Sequence, residues 1–378
     1  TPGCVVMVVK DKKVIFEKAY GHHTYDKTVR TKVSDVWDLA SLTKVCASTL
    51  STMDLYQQGK ISPTNRMSDY ISDLVKTNKA DMTVEELLTH QSGLQGWLKF
   101  YEETTTKEGK KAKPSSKFYR NKYSSTYSVP VAKNLFLDKS YPDTIRKRIY
   151  DSELRSNKDY KYSDLGFYLM ADMVKAVSGM PLDLYAKTRL YEPLGLQTMG
   201  FNPVEKFTLS QIPPTEKDDY FRAQKVHGYV HDMGAAMWGG VSGHAGLFSN
   251  ANDIAILFQM LLNNGYYGGI EYFNPETVFK FTTRCQDCTR RALGFDMYQL
   301  DDTKTENFSP LASKSTFGHL GFTGIATWAD PENNIIYIFL SNRTYPTMFN
   351  YKLGREDFRP KMQSVIYQAM TPQMSLSK

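Results

Sequence analysis

Several things this sequence lacks narrow its class before any motif is read. No apolar run in its 378 residues approaches the roughly 20 that a membrane-spanning helix needs. The longest, Ile335 to Leu340, has the length and β-branched content of a buried strand. Cysteine is scarce at four residues, which excludes a disulfide-built scaffold. Cys285-Gln286-Asp287-Cys288 has C-x-x-C spacing, yet no second pair or nearby His completes a zinc site. It is a tight disulfide or two thiols; no metal and no other cofactor is expected. Cys46 falls on the apolar side of an expected helix and is read as packed there. No sequence repeat is evident. Thr1-Pro2-Gly3-Cys4 shows neither an initiator Met nor a signal-peptide pattern, so a removed leader or excision from a longer polypeptide is expected.

An even spread of charge is also missing. The net charge is +7, and Lys107, Lys110, Lys111, Lys113, Lys117, Arg120 and Lys122 against Glu108 alone account for nearly all of it. So local an excess reads as a solvated loop, or less readily a contact with an anionic envelope polymer, and not as a nucleic-acid face.

What is present is a core. The apolar fraction of 41% and charged fraction of 23% are those of a globular protein, and the length suggests two or three domains. Cys4 to Lys10 and Val14 to Tyr20 are β-rich runs around the turn Asp11-Lys12-Lys13, and a third extended piece ends near Trp37. The period then changes: Leu42, Val45, Cys46, Thr49, Leu50, Met53 and Tyr56 predict a long buried helix stopped by Gly59. Thr83-Val84-Glu85-Glu86 is a capping box, and Asp164 to Val177 is a helix ended by Gly179 and Pro181. Residues 101–129 show little periodicity and read as a long, partly mobile excursion. Thr316 to Gly321, Ile325 to Ala329 and Ile335 to Leu340 are strands, the last two joined at Asp330-Pro331-Glu332-Asn333-Asn334, and a helix closes the chain from about Asp357 to Met370. The expected fold is α/β (α+β): an antiparallel sheet flanked by N- and C-terminal helices, from residues 1–60 and 240–378, with an all-helical region at 61–239.

Chemistry concentrates at three places. Ser41-Leu42-Thr43-Lys44 puts a hydroxyl and an ammonium three residues apart, on one face of a helix start. A serine is a poor nucleophile until a base takes its proton, and burial can lower a lysine towards neutrality. The helix start also aims N–H groups at Ser41, where an oxyanion would form. Taken alone this pair is weak, a helix-start Ser and a surface Lys being the bland account. Tyr162-Ser163-Asp164 opens a second helix; Tyr162 there is either a proton relay or a packed tyrosine before an Asp cap. Gly318-His319-Leu320-Gly321-Phe322-Thr323-Gly324 lies between two strands. Its glycines would admit a substrate backbone, the Phe322 N–H would be a second oxyanion donor opposite that of Ser41, and His319 a positive or hydrogen-bonding group beside Tyr162.

Together the three motifs resemble those of the serine β-lactamase and penicillin-binding superfamily. Their spacing is similar to the branch holding class C β-lactamases, D-alanyl-D-alanine carboxypeptidases and family VIII esterases. Trp37-Asp38-Leu39-Ala40, Leu87-Leu88-Thr89-His90-Gln91-Ser92-Gly93-Leu94 and Gly239-Gly240-Val241-Ser242-Gly243-His244-Ala245-Gly246-Leu247-Phe248-Ser249 fit as well. The resemblance implies an acyl-enzyme on Ser41, with Lys44 and Tyr162 moving its proton, the N–H groups of Ser41 and Phe322 holding the oxyanion, and Asp164, Gly321, Thr323 and Trp97 lining the substrate. Tyr162 as base at neutral pH needs its pKa lowered by about three units, roughly 4 kcal/mol. The resemblance also extends to domains that follow a glycoside hydrolase family 3 domain in Bacteroides-like bacteria, which implies such a covalent neighbour and a periplasmic or cell-envelope location. Two departures matter. Asp164 stands where β-lactamases usually carry Asn, and His319 where they carry Lys. Both favour a small ester or a peptidoglycan-derived peptide over a β-lactam. The rival from another class is a non-hydrolytic or slowly acylating sensor. Trp97 is a cleft wall or a buried anchor; His231, Asp232 and His244 are read as caps and loop bonds, and Arg343 as a surface ion pair or, less readily, a ligand for a substrate carboxylate.

Overall fold

The computed structural model describes residues 1–370 except 110, 302, 305 and 306. Its centre is a six-stranded antiparallel sheet. In chain order the strands are β1 (Gly3–Lys10), β2 (Lys13–Gly21), β3 (Asp296–Met297), β4 (Phe317–Gly321), β5 (Ile325–Asp330) and β6 (Ile335–Ser341). They lie side by side in the order β3-β4-β5-β6-β1-β2, so the two ends of the chain meet at its middle. The β1–β2 turn uses Asp11 and Lys12 at φ 49° and 68°, the left-handed pair that suits a two-residue hairpin.

The apolar run in β6 is continuous because both faces of the sheet are covered. Val5, Met7, Val9, Ile336, Ile338 and Leu340 enter the main core. Val6, Val8, Tyr337 and Phe339 point the other way, to Trp328 and to Tyr367 of the C-terminal helix. The helices used below are α1 (Leu50–Gln57), α2 (Val84–Leu88), α3 (Leu165–Ser178), α4 (Ala251–Leu262) and α5 (Phe358–Met370). Thr83 and Glu86 close the capping box of α2 reciprocally, at 3.2 and 3.1 Å. Gly179, at φ 75°, ends α3.

Residues 61–239 are mixed rather than all-helical. Thr105–Glu108 pairs with Lys111–Pro114, and Tyr119–Arg120, Leu135–Asp138 and Tyr127–Ala132 form a three-stranded sheet. The excursion at 101–129 is therefore built of strands. Its lysines mask the fact that Thr, Tyr and Val suit a half-buried strand. Tyr119, buried, shares a 2.8 Å hydrogen bond with Thr104 and pins the segment to the body.

The segment between Ser41 and α1 carries the main surprise of local structure. Lys44–Thr49 turns with i→i+5 hydrogen bonding before α1 begins, a widened turn often found at functional sites. Every residue from Leu42 to Leu55 is buried, and Ser48 satisfies its hydroxyl on the Gly243 carbonyl at 2.7 Å. Gly243 makes this approach possible: a Cβ there would sit 1.9 Å from the carbonyl oxygen of Phe167 in α3. Gly243→Ala is expected to destabilise the fold by about 3 kcal/mol, the upper end for overpacking, read as a fall in the denaturation midpoint, because the clash is with backbone and not with a flexible side chain.

Candidate active site

Ser41 sits on a sharp turn. Ala40 before it is held at φ 47°, a conformation a non-glycine residue seldom adopts. Asp38 fixes that turn: one carboxylate oxygen accepts the Ala40 N–H at 2.9 Å and the other the His231 N–H at 2.7 Å. Leu39, Ala40 and Leu42 are buried, leaving Ser41 as the partly exposed residue of the turn. Lys44 is wholly buried behind it and distributes its ammonium three ways: to Ser41 Oγ at 2.9 Å, to the His244 carbonyl at 3.2 Å and to Asp164 Oδ1 at 2.6 Å.

That last contact overturns the expectation of a neutral lysine and gives Asp164 a second partner besides the cleft it lines. Burial would push the Lys44 ammonium down, but the charge of Asp164 and the phenol of Tyr162 outweigh it and hold Lys44 above its ordinary value. Lys44 is thus a fixed cation and not a neutral amine, and Asp164 is first of all its counter-ion. Tyr162 also moves opposite to expectation. Burial raises its phenol, and the neighbouring Lys44 does not reverse this. Its hydroxyl interacts with both Lys44 and Ser41, and the Lys44 ammonium lies 4.9 Å from the centre of its ring.

His319 is buried with its ring 5.8 Å from that of Tyr162. Its Nδ1 lies 2.6 Å from the Leu320 carbonyl, which can only accept, so the neutral ring carries its proton there and leaves Nε2 as an acceptor. Burial, then the positive field of Arg291, pushes its pKa down to about 3, so the positive role expected of it is not the resting one. His90, stacked 4.5 Å from Tyr162, accepts the Ser163 N–H at 3.1 Å and is likewise held well below its usual value, first by burial and then by Arg291 and Lys44. Both rings are neutral when folded and gain protons when unfolded below about pH 6.5. Stability is therefore expected to be fully present above that pH and to fall towards pH 3, with His319 alone contributing a slope of about 1.4 kcal/mol per pH unit. Melting temperature against pH for the protein and for His319→Gln checks this; the variant should show the shallower slope.

The turn after β4 supplies the remaining elements. Neither the Ser41 N–H nor the Phe322 N–H is hydrogen-bonded among the described residues, leaving two donors beside the hydroxyl. Thr323 does not face substrate: it is buried and donates to the Asp38 carbonyl at 2.8 Å, tying this turn to that of Ser41. Gly321 lines the cleft, but its missing side chain matters to the protein itself, since a Cβ would lie 2.6 Å from the Leu39 carbonyl oxygen. Arg343 is no surface ion pair. It is buried and donates to the carbonyls of Phe322, Met348 and Asn350 at 2.8, 2.9 and 2.9 Å, bracing the Phe322 turn.

Ser41 and Tyr162 stand between two cavities. One, of about 370 Å³, is walled by Trp97, Met233, Met348 and Tyr351, with Asp164 at its base. Of the two readings of Trp97, the structure places it on this wall. Asp232 and His244 also reach it, paired at 2.9 Å, with Asp232 capping the helix Met233–Met237. The other cavity, of about 390 Å³, is lined by His319 and by four arginines: Arg290, Arg291, Arg343 and Arg359. Sequence reading missed Arg290, Arg291 and Arg359. The available signal was the adjacent arginine pair just after the C-x-x-C. Arg291 is almost wholly buried, and its Nε and Nη2 find no acceptor among the described residues.

A Ser–Lys–Tyr cluster built on a buried lysine, with free N–H donors and set against an antiparallel sheet between two cavities, defines a serine hydrolase. The β-lactamase family model matches residues 1–358, and the chain belongs to that family. It is 33% identical over 372 residues to a protein of Escherichia coli (strain K12) named "Putative D-alanyl-D-alanine carboxypeptidase", covering 91% of this chain and 79% of that one. A protein of the same name from Salmonella gallinarum is 31% identical over 385 residues, covering 94% of this chain and 82% of its own length. Among solved structures, the hydrolase EstCE1, described as having promiscuous acyltransferase activity, superposes with a TM-score of 0.67 at 17% identity, covering 97% of this chain and 93% of that one. A penicillin-binding protein homologue from Caulobacter crescentus gives 0.64 at 17% identity, covering 90% and 86%. At such identity these two speak for the fold.

Proposed function

We propose that the protein hydrolyses acyl compounds through an acyl-enzyme on Ser41, and that its substrates bear a carboxylate on the leaving group, as a D-alanyl-D-alanine-type peptide or its ester analogue does. The observation that carries this is the position of Ser41, 2.9 Å from a charged Lys44, at the border of an arginine-lined cavity. An arginine edge suits a carboxylate. The names of the relatives agree with such a substrate.

The resting charges suggest how the proton travels. Lys44 is already protonated and the phenol of Tyr162 is raised, so neither is a ready base. A phenolate would cost at least about 4 kcal/mol at neutral pH. A concerted path avoids that cost. The Ser41 proton passes to the Tyr162 oxygen as the phenolic proton passes to the leaving group; Ser41 Oγ bonds to the acyl carbon and the leaving-group bond breaks. Lys44 and the N–H groups of Ser41 and Phe322 stabilise the charge that develops. Water then retraces the path with Tyr162 as relay. The Asp164–Lys44 pair, where a β-lactamase places an amide donor, argues for ester or peptide over β-lactam. The Cys285–Cys288 disulfide suits an oxidising compartment such as the bacterial cell envelope.

Turnover of a D-alanyl-D-alanine peptide, p-nitrophenyl esters and a chromogenic cephalosporin tests the assignment. Hydrolysis of the first two, with the cephalosporin at least about 10²-fold slower, is expected, by the loss that one mismatched polar contact brings. Preference for the cephalosporin contradicts it.

A further inference from the structure

Cys285 and Cys288 take no part in the chemistry above, yet they form a disulfide, with Cα atoms 5.3 Å apart, directly before Arg290 and Arg291. The ring it closes is very short. A cross-link over so few residues removes little entropy from the unfolded chain, so its effect is local geometry and not global stability. The geometry in question is that of the turn carrying the two arginines. The Cys285 N–H donates to the Arg291 carbonyl at 3.0 Å, closing the turn around the disulfide. The Met297 N–H donates to the Arg290 carbonyl at 2.9 Å and hooks the turn to β3. Cys288 is buried, and its sulfur touches the side-chain carbonyl oxygen of Gln91, the residue after His90, at 3.2 Å; an oxidised sulfur carries no proton, so this is packing and not a hydrogen bond. The disulfide therefore packs the arginine turn against the segment that follows His90, behind Tyr162.

The arginines it carries are unevenly matched. Asp296 takes Arg290 in a two-pronged contact at 2.8 and 2.5 Å and also receives Asn307 at 3.0 Å. Arg291 reaches the same carboxylate with one nitrogen only, at 3.3 Å. Its other edge, Nε and Nη2, is buried and has no acceptor among the described residues, while the residue itself lines the cavity. A desolvated guanidinium edge is costly unless an anion meets it, and it is shaped to hold both oxygens of a carboxylate.

We propose that the Cys285–Cys288 disulfide is the positioning element of the leaving-group subsite: it holds the turn from which Arg291, at the cavity wall, swings its unpaired edge to the substrate carboxylate when substrate enters. This rests on the function proposed above, and selectivity for a charged leaving group then depends on the oxidised state of the pair.

Two esters of one acyl group test it, with 3-hydroxybenzoate or phenol as leaving group. In the wild type the carboxylate-bearing ester should show a KM about tenfold lower, the worth of one good charged pair. Cys285→Ser/Cys288→Ser should lose that advantage, with kcat and the phenyl ester little changed, and Arg291→Lys should lose it too, since an ammonium has no planar fork. If the double variant does not fold, a phosphine reductant applied to the folded wild type gives the same reading. Retained preference in the variant or reduced protein, or equal losses for both esters, overturns the proposal. Calorimetric binding of 3-hydroxybenzoate separates this from failure of the acyl-enzyme reading, because it needs no turnover. Weaker binding without the disulfide supports the inference even if Ser41 forms no adduct, and equal binding sinks it.

Discussion

Lys44→Met is expected to lower kcat/KM for an ester by about 10³-fold and to weaken the fold as well. The activity loss follows from removing a preorganised charge from beside Ser41 Oγ. The stability loss has a different origin. Lys44 has no exposed surface and its partner Asp164 keeps only 20% of its side chain in solvent. Truncating one member of such a pair strands the other charge, at a cost of about 3 kcal/mol, the low end for buried pairs because Asp164 is not fully enclosed. The two effects separate in the double variant Lys44→Met/Asp164→Asn. It should recover most of the stability, since no charge is left without a partner, and none of the activity. Urea midpoints and ester turnover on the wild type and the two variants check both parts. A single variant as stable as the wild type would mean that Asp164 is not held by Lys44.

Tyr162→Phe is expected to cost about 10³-fold in kcat with little change in stability, because the ring stays packed against His90 and a single hydroxyl is lost. A smaller companion effect distinguishes relay from amine base. Asp164→Asn removes the charge that holds Lys44 above its ordinary value, so the Lys44 pKa falls. If Lys44 acts as a cation, the alkaline limb of the pH–rate profile moves to lower pH. If it acts as a neutral base, the acid limb moves down instead and neutral-pH activity rises. The structure favours the first outcome.

The sheet, the buried helix after Ser41 and the capping boxes were legible in the sequence because each rests on local periodicity or on a cap of fixed spacing. The strands in 101–129 were hidden by lysines, whose charge masks the threonine, tyrosine and valine that suit a half-buried strand. The site was legible as a set of motifs but not as electrostatics. That Asp164 turns back to Lys44 and that Thr323 is committed to the Asp38 carbonyl depend on distances between segments over 100 residues apart, and that His319 is neutral depends on its burial and on Arg291. Arg291 was missed because an arginine in a polar stretch reads as surface until the fold buries it beside Asp296.

Intact-protein mass spectrometry after exposure to a fluorophosphonate or an activated ester tests the central claim most directly. One adduct per chain, mapped to the peptide bearing Ser41, absent from Ser41→Ala and decaying with time for the ester, is the predicted result. An adduct on another residue, or equal labelling of wild type and Ser41→Ala, would contradict it.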